Sequence, residues 1–310
     1  MDLYLSDPSP PPGTAPLHQQ PHYARALTAM GVAVQTLRAT QDGQPRAQAQ
    51  VVRRRLGPLS ITWMPRGPIW ASDLPDPDRE AFLRALTQTL PSGVWLANAA
   101  SADEANCLAR HGYRALIPGQ TLANLDLRPP RATRLAAQHG KWRNRLRHAQ
   151  GAGLILHETA FDPTRHHSLL TQEVAQQRAR RYRALSPAFT LAYAAQNPGA
   201  ARVWSAQHCG QHVAHLLILT HGDTATYHIG WTGPEGRRRS AHTLLLWQAA
   251  NALADRGIVR LDLGPADTTL APGLARFKLG SGALAQRLGP SMLALPRVTP
   301  LFPKRHKHAA

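Results

Sequence analysis

The sequence predicts an α+β chain made of two similar units in tandem. Helix-periodic and strand-like stretches follow the same order in both halves, and a proline pair, Pro129-Pro130, separates them. Neither a βαβ glycine fingerprint nor a Walker lysine loop is present, which excludes the common dinucleotide and P-loop folds. At 310 residues and 43% hydrophobic content, the chain can bury two proper cores.

Residues 1–16 are proline-rich and predict a flexible lead; the segment reads as neither a signal nor a transit peptide. The first unit is expected over 17–128. "HQQPHYARALTAMG" predicts a short helix, and Asp42-Gly43 a turn between two strand-like runs. "LSITWMP" reads as a strand, "DPDREAFLRALTQTL" as a helix, and "GVWLANA" as a strand. "SADEANCLARHG" is a capped helix with a glycine stop, followed by a closing strand region to Leu127.

The second unit is expected over 129–286. A basic helix in "KWRNRLRHAQGAG", a strand at "LILHETA" and two helices lead into an antiparallel meander from "ARVWSAQH" to "TATYHIGW". "SAHTLLLWQAANALADRG" predicts an apolar-striped helix with Ser240 as N-cap, and "VRLDLGP" a strand carrying Asp262 and Gly264. Residues 287–300 are a candidate to complete the first unit, and 301–310 form a basic tail.

Thirty-six Lys plus Arg against 18 Asp plus Glu leave a net charge of +18. This excess predicts a polyanionic partner: nucleic acid, a phosphate-bearing donor, or peripheral contact with an anionic membrane face. No apolar run has the length of a membrane span, and two cysteines, Cys107 and Cys209, give no disulfide framework, so a cytoplasmic protein is expected. Metals are not expected. In "HCGQHVAH", strand alternation sends His208 and Cys209 to opposite faces, and likewise His212 and His215. No G-x-S-x-G elbow or recognisable cysteine nucleophile appears.

One residue choice stands out. Only four of the basic residues are lysine, namely Lys141, Lys278, Lys304 and Lys307, yet Lys278 follows Phe277 in "GLARFKLGSG". A compact ammonium suits chemistry that a planar guanidinium does not.

The runs "YHIGW", "SAHTLLLWQAANALADRGIVRLDLGP" and "GLARFKLGSG" resemble the second domain of the FemAB aminoacyltransferase family, whose pattern includes D-L-G and then F-K-x-G-F-G. "QQPHYARAL", "QDG" and "PRGPIW" resemble its first domain, and the likeness covers nearly all of the chain after residue 17. The resemblance implies two tandem GNAT-like domains (acyl-CoA N-acyltransferase-like) with a groove between them. It implies transfer of an aminoacyl group from aminoacyl-tRNA, as co-substrate and with no further cofactor, onto a small amine or a peptide-type acceptor such as a peptidoglycan precursor. Lys278 matches the family lysine that meets the developing oxyanion, Phe277 its partner, and Asp262 the strand-end acid. His228 falls where a tunnel-lining tyrosine is common. Arg25, Arg181 and Arg183 match positions that meet substrate phosphates, and Arg239 with Ser240 stands where a GNAT enzyme places its pyrophosphate loop, R/Q-x-x-G-x-G/A.

The chain departs from the family in two places: Gly280-Ser281-Gly282 lacks the final aromatic, and Asn98 stands where the first domain often has an acid. The stretch 239–242 also lacks the glycines of the GNAT pyrophosphate loop. Two alternatives therefore stay open: an acyl-CoA-dependent N-acyltransferase, and a catalytically inert RNA-binding relative.

Overall fold

The computed structural model describes residues 2–7, 9–90 and 93–295. The expected basic tail at 301–310, with Lys304 and Lys307, lies outside them, as do residues 296–300.

The first half supplies β1 (Asp2–Ser6), α1 (Pro21–Ala29), β2 (Ala33–Gln41), β3 (Gln44–Leu56), β4 (Leu59–Pro65) and β5 (Ile69–Trp70). It continues with α2 (Asp76–Thr89), β6 (Val94–Asn98), α3 (Ala102–Arg110) and β7 (Arg114–Ile117). The β2–β3 turn forms where expected, with Asp42 at φ 53° and Gly43 at φ 74°, the two positive values that a tight hairpin turn needs.

The second half supplies β8 (Thr121–Asp126), α4 (Arg131–Ala136), α5 (Gly140–Gln150), β9 (Ile155–Ala160), α6 (His167–Arg180) and α7 (Pro187–Gln196). The meander is β10 (Ala201–His208), β11 (Gln211–His221) and β12 (Thr224–Thr232), followed by α8 (Pro234–Arg238) and α9 (Ala241–Asp255). The chain ends in β13 (Arg260–Pro265), α10 (Pro272–Gly280), β14 (Leu284–Arg287) and β15 (Ser291–Ala294). Among the described residues these strands make two mixed sheets, β1-β2-β3-β4-β6-β15-β7 with β5 on β3, and β14-β8-β13-β12-β11-β10-β9.

The order of the strands corrects the expected boundaries. β8 precedes the proline pair yet lies in the second sheet, between β14 and β13, while β15, inside the 287–300 stretch expected as a candidate to complete the first unit, lies in the first, between β6 and β7. The units therefore exchange a strand. The two crossing connections touch backbone to backbone: Leu288 N–H donates to Gln120 O at 2.9 Å, and a Cβ on Gly119 would lie 2.1 Å from Leu288 O. Only glycine fits there. The lead is also not a free tail. β1 pairs antiparallel with β2, Ala15 is fully buried, and Thr14 Oγ1 donates to the Asp223 carboxylate at 2.9 Å.

Each unit has its own core, and a third cluster joins them. α9 explains the second core: Leu245, Leu246, Ala249 and Leu253 are fully buried against the sheet, and each such leucine contributes about 1.5–3 kcal/mol. Ser240 does not cap α9 as expected; at φ 52° its side chain takes no helix N–H. In the joining cluster, Leu17, Tyr23 and Leu27 pack on Phe189, Tyr193, Val203 and Leu217, so α1 rests on α7 of the other unit. This apolar seam holds the two units as one body.

α3 carries a capping box with a cost. Ser101 Oγ accepts from Glu104 N at 3.1 Å, and Glu104 Oε2 accepts from Ala100 N at 3.1 Å, but Oε1 is buried without a partner. Burial pushes the Glu104 carboxyl well above its ordinary range, against the weaker pull of the Ala100 N–H and Arg79. A raised carboxyl favours folding while protonated, and that contribution is lost as pH rises from about 4.5 through the raised value. Glu104→Gln should therefore raise Tm at pH 8 and leave it nearly unchanged at pH 4, as thermal melts at the two values will show.

Candidate active site

In the second sheet the parallel neighbours β12 and β13 stay paired only from Thr224–Thr226 to Arg260–Asp262. Beyond these residues β12 runs on to Thr232, while β13 turns toward β8 and pairs Pro265 with Leu122. The strands part there. The equivalent parallel pair of the first sheet, β4 and β6, stays in register over Ile61–Pro65 and Val94–Asn98. Trp63 Nε1 also donates to Asn98 Oδ1 at 2.5 Å, so that pair is closed.

A bulge shapes β12 beyond its pairing with β13. Leu217 faces Ile229 and Ile218 faces Tyr227, which leaves His228 as the extra residue of β12. The His228 ring turns to α7, where Nε2 lies 2.7 Å from Thr190 Oγ1 and Phe189 is 6.3 Å away. Burial lowers its pKa to about 4, so it is neutral near pH 7. The structure does not bring His228 to Lys278.

Tyr227 stands there instead. Lys278 Nζ lies 5.9 Å from the Tyr227 ring centroid, and Tyr227 Oη lies 2.7 Å from His242 Nε2. A Cβ on Gly230 would lie 1.8 Å from Tyr227 Oη and 3.0 Å from His242 Cε1, so this pair depends on the glycine. Burial pushes the Tyr227 phenol up and lowers His242 to about 4, which keeps both neutral.

Lys278 itself lies on the helix α10 and is only 5% exposed. Its Nζ donates to Pro265 O at 2.8 Å, and two N–H bonds remain. Burial lowers its pKa to about 8, with the Asp262 charge pulling the other way. Phe277 helps seat the helix, its ring 5.5 Å from His242 and 6.3 Å from Trp142, whose Nε1 donates to Phe277 O at 3.0 Å.

Asp262 ends the paired part of β13. Its Oδ1 accepts from Gly264 N at 2.7 Å, and its Oδ2 binds Arg66 Nη1 at 2.7 Å across the two units. Burial works against its charge, but Arg66, the Gly264 N–H and Arg260 outweigh it and hold the carboxyl below its usual range.

The remaining expected residues scatter. Arg25 is exposed on α1 with Nε on Asn197 Oδ1 at 2.9 Å, and Arg181 and Arg183 are exposed after α6. Between those two, Tyr182 turns inward and donates to Glu173 at 2.8 Å. Arg239 is already engaged, with Glu235 at 2.6 Å and Ala152 O at 2.8 Å. Ser240 holds the left-handed backbone at φ 52° that a loop glycine would take more cheaply.

The histidine geometry also differs from strict alternation. Ala206 pairs with Ala214 but Gln207 with His212, so Val213 is an extra residue. His212 and His215 then share a face, their rings 4.8 Å apart. Among the described residues, no three His, Cys, Asp or Glu side chains gather with metal-binding geometry. Cys107 is buried in the first unit and Cys209 is exposed in the β10–β11 turn.

Reading by motif missed Arg66, Tyr227 and His242. Each had a signal: Tyr227 adjoins His228, His242 lies in the loop at 239–242, and Arg66 lies in the "PRGPIW" run.

Residues 136–279 match the family model of the acetyltransferase (GNAT) domain. The solved structure of FemX superposes with a TM-score of 0.75 at 12% identity, covering 90% of this chain and 92% of that one. The fold is that of a tandem GNAT protein. A tandem GNAT protein from the clavulanic acid biosynthesis pathway superposes at 0.52, with 14% identity over 92% and 90% of the two chains. The C-terminal domain of a candidate lysylphosphatidylglycerol synthetase from Agrobacterium fabrum superposes at 0.55, with 16% identity over 88% and 86%. No curated protein sequence matches the chain. Both the FemAB-like resemblance and the two-unit α+β expectation hold at the level of fold, and the parted β12 and β13 belong to the tandem GNAT unit that the family model covers. None of its described helices is long and apolar enough to cross a membrane.

Proposed function

We propose that this protein joins an acyl group to an amine as an amide, with aminoacyl-tRNA as donor. The observation that carries this reading is the buried Lys278 ammonium at the parted strands β12 and β13. The acceptor amine adds to the ester carbonyl and loses its proton to solvent; the carbonyl oxygen becomes an oxyanion, and Lys278 donates an N–H to it. Collapse of the adduct breaks the ester C–O bond, and the leaving ribose oxygen takes up a proton. An aminoacyl ester is activated enough that no strong carboxylate base is required, which suits Asn98 in place of an acid.

Two features favour an RNA-borne donor over acyl-CoA. The loop before α9 offers a strained Ser240, an Arg239 tied to Glu235 and a His242 turned in to Tyr227, in place of glycines that would let a pyrophosphate approach. The exposed side chains Lys141, Arg145 and Arg147 of α5, and Arg178, Arg180, Arg181 and Arg183 at and after the end of α6, lie on opposite faces of the second sheet, and each group offers cations suited to a phosphate backbone. The acceptor is a small amine or a peptide amine, with Arg25, Arg181 and Arg183 as candidate phosphate contacts. The acetyltransferase family model favours acyl-CoA as the second reading.

Equilibrium binding separates the two. Charged tRNA should bind at least tenfold more tightly than acetyl-CoA in about 100 mM salt. Tighter binding of acetyl-CoA would overturn the RNA-borne donor.

A further inference from the structure

Arg66 stands at the end of β4 with φ 52°, a left-handed backbone conformation that residues other than glycine rarely adopt. It is held there firmly. Gln19 Nε2 donates to Pro65 O at 2.7 Å and to Gln50 O at 3.0 Å, and its Oε1 accepts from Gln50 N at 2.8 Å. A Cβ on the next residue, Gly67, would lie 2.6 Å from the Gln19 side chain, so the turn has no room to shift. The guanidinium then crosses between the units to Asp262, with the two side chains 16% and 9% exposed.

A chain of contacts continues from there. Asp262 Oδ1 fixes Gly264 N–H, Gly264 turns the backbone at φ 76°, and the next carbonyl, Pro265 O, receives Lys278 Nζ at 2.8 Å. Lys278 is thus held by a carbonyl while the nearby carboxylate is occupied by Arg66. The sequence places Arg66 and Asp262 196 residues apart, yet the resulting contact is buried and strained, as a contact kept for function would be.

We propose that Arg66 is a positioning residue for Lys278: it keeps the Asp262 carboxylate off the lysine ammonium and fixes the 262–265 turn that holds Nζ. This rests on the reading of Lys278 as the working cation. The first unit would then complete the chemistry of the second, which gives the joined pair of units a purpose beyond stability. The other groups facing this cluster are Arg260, His18, His221, Tyr227 and His242. Burial holds His18 and His242 at about 4 and His221 at about 3, and keeps Tyr227 protonated, so near neutral pH the charges are those of Arg66, Arg260, Asp262 and Lys278.

The four lysines permit a test that needs no substrate. In protein labelled at lysine 13Cε, the signal lost in Lys278→Met identifies Lys278, and its titration is followed by NMR. Arg66→Met frees Asp262 to pair with the ammonium and should raise the Lys278 midpoint by roughly one pH unit or more. Asp262→Asn should lower it, and Arg66→Lys should restore the wild-type midpoint. Transfer assays add a second readout: Arg66→Met should reduce kcat at least tenfold with KM for the donor nearly unchanged, and Arg66→Lys should recover part of it. An unchanged Lys278 midpoint in folded Arg66→Met would overturn the proposal, as would a defect confined to KM. If Arg66→Met does not fold, Asp262→Asn decides, since an unchanged midpoint there also refutes the coupling. If the midpoints move as expected while the wild type consumes no donor, the coupling stands and the transferase reading fails.

Discussion

Lys278→Met should slow the chemical step by roughly two to three powers of ten, the loss expected for one preorganised donor at an oxyanion. Methionine fills much of the same buried space on α10, so the cost in folding should be small, and donor affinity should stay close to wild type. Lys278→Arg should keep donor binding but restore little of the rate, because its planar fork does not match an ammonium set beside Pro265 O and Tyr227. The pH dependence has a definite sign. Burial lowers the lysine from its ordinary value of 10.5 to about 8, so its charge is lost across that pH rather than two units higher. With the neutral acceptor amine saturating, the single-turnover rate should fall as pH rises past about 8, and Lys278→Met should abolish that alkaline limb. Rates measured from pH 6 to 10 in both proteins check this.

Binding of charged tRNA should weaken by roughly three to five powers of ten between about 50 and 200 mM salt, the scale for six to ten phosphate contacts. The +18 charge makes the effect large, and its placement makes it local. On α5, Trp142, Leu146 and Ala149 are buried while Lys141, Arg145 and Arg147 are exposed, with Lys141 and Arg145 one turn apart on one flank of the helix and Arg147 on the other. Replacing Arg145 and Arg147 by Gln should lower the slope of log affinity against log salt by about two, with no change in the Lys278 titration. A flat salt dependence would place these cations outside the function.

Much of this architecture was legible because it depends on local pattern. The Asp42-Gly43 turn, the meander and α9 are each fixed by residues close in sequence, and D-L-G with F-K pointed to Asp262 and Lys278. What was not legible depends on residues far apart. Residues 287–300 read as a candidate to complete the first unit, where β15 lies, but nothing in a period-two strand such as "TLANLD" says which sheet it enters, so the crossing of β8 could not be read. Arg66 finds Asp262 only once both units have folded. An inserted residue misled the face assignment of His212 and His215, which the bulge at Val213 brought together, and the bulge at His228 left Tyr227 beside the lysine. The proline-rich lead looked mobile because its composition hides "DLYLS", a strand that needs β2 beside it to form.

The central claim is that the site at the parted strands β12 and β13 forms an amide from an RNA-borne ester. The most direct measurement is single-turnover transfer from a labelled mixture of aminoacyl-tRNAs to a peptide amine, run beside labelled acetyl-CoA. The account predicts a labelled amide from the tRNA pool, abolished by prior RNase treatment and reduced at least a hundredfold by Lys278→Met. Amide formed from acetyl-CoA but not from tRNA, or formed equally well by Lys278→Met, would contradict it.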